Sequence, residues 1–175
     1  MNGIRARWHE LQEFVPENDI MVITETKIDA QTTGHSISIA GYLLNRHDRT
    51  NHGEGVATFI TDNLVSDTLM SHQEDASKAG LEVTINRIKR PAVGRDLIVI
   101  GVYRPPSAKA EFCEDFSELL QVLPLRQLCI LGDINADLMK PRIQPGKALR
   151  EALSLPGTKV HSTVPTSHHR DRHQH

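Results

Sequence analysis

A chain of 175 residues, 38% hydrophobic and 24% charged, is long enough for one domain with a sizeable core and short for two. Twenty Lys+Arg against 22 Asp+Glu leave a formal net charge of -2, which excludes the strongly basic field of a nucleic-acid coat; any contact with nucleic acid needs a local patch or a bound cation. No apolar run reaches the roughly 20 residues of a membrane span, the amino terminus lacks a secretory pattern, and Cys113 and Cys129 read as reduced thiols, so an intracellular compartment without membrane association is expected.

In chain order, Ile4, Trp8, Leu11 and Phe14 recur at helical spacing and predict an amphipathic helix ended by Pro16. Ile20 to Thr24 is a short apolar, β-branched run, predicted as a buried strand with Glu25 at its carboxyl end. Residues 30–40 turn to Thr, Ser, Gly and His and read as a surface loop. Tyr42 to Leu44 and Gly55 to Ile60 are predicted strands joined by a polar connection over 46–54. Leu81, Val83 and Ile85 alternate with polar residues, the pattern of a half-buried strand. Leu97 to Tyr103 is the strongest predicted strand, stopped by Arg104-Pro105-Pro106 because proline cannot donate to a ladder. Phe112, Phe116, Leu119, Leu120 and Leu123 predict a helix ending at Pro124, and Gln127 to Leu131 a further strand. A last short helix is predicted over 147–155, with Gly157 as its terminator. From His161 the chain is Ser, Thr, Pro, Arg and His, with five of the ten histidines, and it is too polar to offset its ordering entropy. The expected organisation is one layered α/β domain over 1–158 and a disordered tail over 159–175.

Three segments set polar residues at the ends of apolar strands, where layered α/β folds gather their sites. They are Ile23-Thr24-Glu25-Thr26, Val102-Tyr103-Arg104-Pro105-Pro106-Ser107 and Leu131-Gly132-Asp133-Ile134-Asn135-Ala136-Asp137. Phosphodiester hydrolysis needs this kind of set. A divalent cation neutralises the anionic phosphate, and Mg²⁺ takes hard oxygen ligands from only one or two carboxylates. Glu25 suits that ligand, Asp133 suits the residue that aligns or deprotonates water, and the Asn135 amide and Tyr103 hydroxyl suit donation to phosphate oxygens. Singly, each has a plainer explanation: Glu25 as a solvated turn residue, Gly-Asp-Ile-Asn as an ordinary turn, Tyr103 as the edge of the core, Arg104 as a solvated cation. The case for chemistry rests on the three segments together.

These segments resemble the endonuclease/exonuclease/phosphatase superfamily, and most closely the endonuclease domain of non-LTR (LINE or jockey-type) retrotransposons. The resemblance runs from Met1 to about Pro156. It is carried by Asn2-Gly3-Ile4-Arg5, Thr24-Glu25-Thr26-Lys27, Gly41-Tyr42, Asp48-Arg49, Gly53-Glu54-Gly55-Val56-Ala57, the Val102 to Ser107 segment and the Leu131 to Asp137 segment. It implies a four-layer α/β sandwich, two packed sheets flanked by helices, and a Mg²⁺-dependent endonuclease, with Mn²⁺ as an alternative, that nicks target DNA in the nucleus to prime a reverse transcriptase in the same parent polyprotein. Residue by residue it implies Glu25 as metal ligand, Tyr103, Asp133 and Asn135 as catalytic residues, and Arg104 and Asn2 as substrate contacts.

The sequence also departs from that pattern. The family's first catalytic asparagine and first strand would precede Met1, and the strand and loop that carry its later aspartate and histidine have no counterpart after Thr166. The chain is therefore expected to be incomplete at both ends, with weak or no catalysis, since losing one such group costs about 10²–10⁴ in rate. A catalytically dead retrotransposon remnant is the competing reading. A DNA-binding module using Arg5, Arg7, Arg46, Arg49 and Arg104, and a phosphatase acting on small phosphate esters, are two more.

Overall fold

The computed structural model describes residues 4–28, 32, 34–48, 55–71, 82–106, 108, 112–123, 127–136, 150, 151 and 153. The domain that carries the site lies within residues 1–135, and residues 136–175 group as a separate unit. Of the helix expected over 147–155 only Arg150, Glu151 and Leu153 are described; the expected tail over 159–175 lies outside the described residues, as does Asn2.

The chain enters through a 3₁₀ turn, Ile4–Arg7, which runs into α1, Trp8–Phe14, and leaves through a second 3₁₀ turn, Val15–Glu17. Pro16 sits at the start of that second turn, where its missing N–H costs nothing. The buried stripe is Ile4, Trp8, Leu11 and Val15, whereas Phe14 is 56% exposed. At about 100° per residue, Val15 returns to within roughly 20° of Ile4 and Phe14 falls about 80° off the stripe.

Seven strands follow: β1 (Ile20–Thr24), β2 (Tyr42–Asp48), β3 (Gly55–Thr61), β4 (Ser66–Ser71), β5 (Glu82–Ile88), β6 (Leu97–Tyr103) and β7 (Leu128–Asp133). Helix α2 (Phe112–Val122) connects the last two and buries Phe112, Cys113, Phe116 and Leu120 along one side. Two differences from the sequence expectation stand out. β2 continues through Asn45 and then Arg46-His47-Asp48, the last three expected in a polar connection, because each has a partner on β3, from Asn45 opposite Thr58 to Asp48 opposite Gly55. β4 was not expected at all; it is polar and pairs antiparallel with β5.

The strands form a three-stranded sheet in the order β1-β3-β2 and a four-stranded sheet in the order β4-β5-β6-β7. All ladders are antiparallel except β6 with β7, which needs the crossover that α2 provides. One face of the first sheet (Ala57, Phe59, Met21, Ile23, Tyr42 and Leu44) packs on the α1 stripe and on Ile28, Ile37 and Ile39 from the connection. Within the stretch expected as a loop, the described residues 34–40 include a 3₁₀ turn, Gly34–Ile37, and deliver two isoleucines to the core.

The opposite face packs on the second sheet, with β1 and β3 against β6 and β2 and β3 against β5. At one end this interface is apolar, built from Ile60, Ile88 and Val99 with Ile20, Leu64, Leu97 and Cys129. Toward the other end it becomes polar: Asn45 Nδ2 donates to Asn86 Oδ1 at 2.8 Å, and the Thr58 and Thr84 hydroxyls lie 2.6 Å apart. Gly101 faces this pair, and a Cβ there would stand 2.5 and 2.7 Å from the Thr84 and Thr58 hydroxyls, so only glycine lets the sheets meet. β5 is buried on both faces rather than half-buried, because its polar side supplies Thr84 and Asn86 to this interface. Among the described residues no helix is long and apolar enough to cross a membrane.

Candidate active site

Three strand ends meet at the polar end of the sandwich. The first is β1. After Thr24 the chain kinks twice: Glu25 has φ of 54° and Lys27 φ of 52°, both left-handed, which non-glycine residues rarely adopt. Thr26 between them and Ile28 after them are buried, Thr26 donating its N–H to Gly55 O at 3.3 Å and its O accepting from Ile4 N–H at 2.9 Å. The alternation turns Glu25 and Lys27 out to solvent while their neighbours anchor the segment. Backbone strain of this kind, about 1–3 kcal/mol per residue, persists where surrounding contacts over-determine it, and it clusters at functional sites.

The second strand end is β6. Tyr103 is 2% exposed, and its hydroxyl donates to Glu25 Oε1 at 3.3 Å, from one sheet to the other. The third is β7, where Asp133 stands opposite Tyr103 in the parallel register. Gly132 makes this pairing possible: its φ is 139°, and any Cβ would overlap the Val102 carbonyl oxygen. Past the strand, Asp133 Oδ1 accepts the Asn135 N–H at 2.9 Å, and Asn135 is left-handed with φ of 44°. Gly132-Asp133-Ile134-Asn135 is therefore a side-chain-closed turn, as its composition alone suggested, and it also delivers Asp133 to the rim. Among the described residues Asp133 Oδ2 has no hydrogen-bond partner.

Glu25, Tyr103, Asp133 and Asn135, singled out from sequence, thus converge at one edge. Two expectations change in detail. The Asn135 side-chain amide donates inward, from Nδ2 to Arg104 O at 2.7 Å. Arg104, expected to contact substrate, is 5% exposed and turned into the protein, with Nη1 on Asn135 O at 3.1 Å and Nη2 on Ala108 O at 2.8 Å.

The same rim gathers Asp48, from the Asp48-Arg49 segment, and two residues that the sequence did not single out, His47 and Glu82. Asp48 ends β2, and its Oδ2 pairs with Arg46 Nε at 3.2 Å. Buried His47, beside it, has Nδ1 3.3 Å from Val83 O. Glu82, 2% exposed, opens β5 directly opposite Tyr103. Only the strand pairing reveals Glu82; along the chain it is one more polar position in an alternating run.

The two packed sheets, of three and four strands, have a DNase-like fold. Solved structures with this likeness include an AP endonuclease from Archaeoglobus fulgidus, with a TM-score of 0.58 and 19% identity over 87% of this chain and 66% of that one. The human Nocturnin catalytic domain with bound sulfate gives 0.47 and 17% over 85% and 63%, and ANGEL2, a 2′,3′-cyclic phosphatase, gives 0.47 and 15% over 88% and 54%. The likeness to the AP endonuclease is one of fold, and the chain spans 66% or less of each of these three proteins. No protein-family model and no curated protein sequence matches the chain.

Proposed function

We propose that the chain carries a metal-dependent phosphodiesterase site of the DNA endonuclease type, derived from a non-LTR retrotransposon. The observation that carries the reading is the meeting of Glu25 and Tyr103 across the two sheets with Asp133 opposite Tyr103. The retrotransposon-like segments Thr24 to Lys27, Val102 to Ser107 and Leu131 to Asp137 supply these same residues. An AP endonuclease among the fold relatives favours DNA as substrate.

Mg²⁺ fits the donors present. Glu25 offers an exposed carboxylate, and two other polar groups at the rim, Asp133 and Tyr103, are likewise oxygen donors. That is the donor set of a cation that keeps most of its water. Mn²⁺ would serve in its place. When bound, the cation would neutralise the phosphate and stabilise the departing oxygen. The protein's own groups do the rest. Tyr103 orients Glu25 through its hydroxyl. Asp133 Oδ2 accepts a proton from the attacking water as the P–O bond breaks, and the Asn135 N–H holds the other Asp133 oxygen.

Relaxation of supercoiled plasmid by the purified chain with Mg²⁺ tests this. Nicking that EDTA stops and that falls at least about 10²-fold in Glu25→Gln and Asp133→Asn supports it; nicking indifferent to both substitutions refutes it. The inward direction of the Asn135 amide and the Arg104 guanidinium favours a second reading, a remnant without turnover, because two expected phosphate donors serve the protein instead. Mg²⁺ binding that depends on Glu25 without any nicking would select it. Under either reading the chain derives from an element whose parent polyprotein includes a reverse transcriptase and works in the nucleus; the sequence flanking its reading frame tests that origin.

A further inference from the structure

Arg104 joins the end of β6 to the turn after β7 by every polar group its backbone offers. Its N–H donates to Asp133 O at 2.9 Å, extending the parallel ladder one residue beyond the strand. Its C=O accepts Asn135 Nδ2 at 2.7 Å, while its Nη1 returns a bond to Asn135 O at 3.1 Å. The two residues exchange hydrogen bonds in both directions, side chain to main chain. Nη2 reaches Ala108 O at 2.8 Å, and the guanidinium carbon stands 5.4 Å from the centre of the Phe112 ring, a cation–π distance.

The local chemistry favours this arrangement. Arg104 precedes Pro105, which biases it to the extended conformation and so presets where its C=O points. The planar fork suits two carbonyls approached from different parts of the chain, and its face suits an aromatic ring; a lysine offers neither. The arrangement also has a cost. The cation is 5% exposed, and among the described residues its Nε has no acceptor and no carboxylate pairs with it. Taking such a charge out of water carries a desolvation cost that carbonyls and a ring must offset. What it secures is the turn holding left-handed Asn135, which in turn donates its N–H to Asp133.

We propose that Arg104 is a positioning residue: it holds the Asp133-Ile134-Asn135 turn in the one conformation that keeps the Asp133 carboxylate beside Tyr103. The consequence for turnover rests on the phosphodiesterase reading above, whereas the consequence for the turn does not.

The test compares the full chain with Arg104→Lys and Arg104→Met. Amide hydrogen exchange by NMR reads the turn, and plasmid nicking reads kcat and KM. Asn135 N–H exchange is expected to rise about 10-fold or more in both variants while Ile100, in the middle of β6, keeps its protection. kcat is expected to fall about 10²-fold with KM near the wild-type value, the mark of a misplaced group rather than a lost substrate contact. Unchanged Asn135 exchange in Arg104→Lys overturns the proposal, as does a rise in KM with kcat unaltered. If the wild-type chain does not nick DNA but Asn135 loosens in the variants, the positioning role stands and the phosphodiesterase reading is what fails. Should Arg104→Met fail to melt cooperatively, Arg104→Lys, which keeps the charge and loses the fork, decides.

Discussion

The Tyr103 hydroxyl donates to the Glu25 carboxylate at 3.3 Å, and this contact ties the end of β6 in one sheet to the end of β1 in the other. Tyr103→Phe removes the donor and leaves Glu25, which is exposed, to water. Stability is expected to fall by only about 0.5–1.5 kcal/mol, the net value of one such bond. Nicking is expected to fall further than that, by about 10²-fold, because the carboxylate loses its orientation. Thermal melts and plasmid relaxation on the same sample separate the two effects.

Gly132→Ala is expected to be among the most damaging small substitutions. The residue has φ of 139°, and the new methyl would occupy the space of the Val102 carbonyl oxygen. A loss of about 3 kcal/mol or more follows, with β7 pulled away from β6. Urea titration checks it as a lower midpoint.

The Thr58 and Thr84 hydroxyls satisfy each other between the sheets. Thr58→Val or Thr84→Val alone strands one buried hydroxyl and is expected to cost about 1–3 kcal/mol; the double variant, with both removed, is expected to recover most of that loss. A double-mutant cycle by denaturation measures the coupling. Additive losses would show that the two groups do not depend on each other.

Asp67 accepts from Arg87 at 2.6 Å and from Lys89 at 3.1 Å, and these hydrogen bonds, Arg87 first, hold its carboxyl below its ordinary value. The sign follows from the direction. A folded-state value below the unfolded one contributes stability that is present above the unfolded value and lost as pH falls through the folded one. Asp67→Asn is therefore expected to melt slightly lower than wild type at neutral pH, with the gap closing below about pH 4. The group is at the surface, so the gap should also shrink in high salt. Melting curves from neutral to acid pH, with and without added salt, check both.

Much of the sandwich was legible along the chain because its central strands are continuous β-branched runs; Leu97–Tyr103 has no other plausible conformation. The three segments that build the rim were legible for a related reason, since polar residues directly after such runs have few places to go. What was hidden depended on pairing. Asn45–Asp48 looks like a loop until β3 lies beside it, and Ser66–Ser71 carries no apolar alternation. Glu82 becomes notable only when β5 sets it opposite Tyr103. The inward turn of Arg104 was hidden too: nothing in Arg-Pro-Pro reveals that Phe112, eight residues on, will lie against the cation.

Glu25 follows a strand of one sheet, and Tyr103 and Asp133 belong to the other, so the spacing between these groups is set by how two slabs are aligned. A purely oily seam would let them slide by a pleat at little cost. The Asn45–Asn86 and Thr58–Thr84 pairs act as dowels between the slabs. A version with those pegs planed smooth into hydrocarbon would be just as hard to unfold and would still lose the fixed line on which Glu25 faces Tyr103.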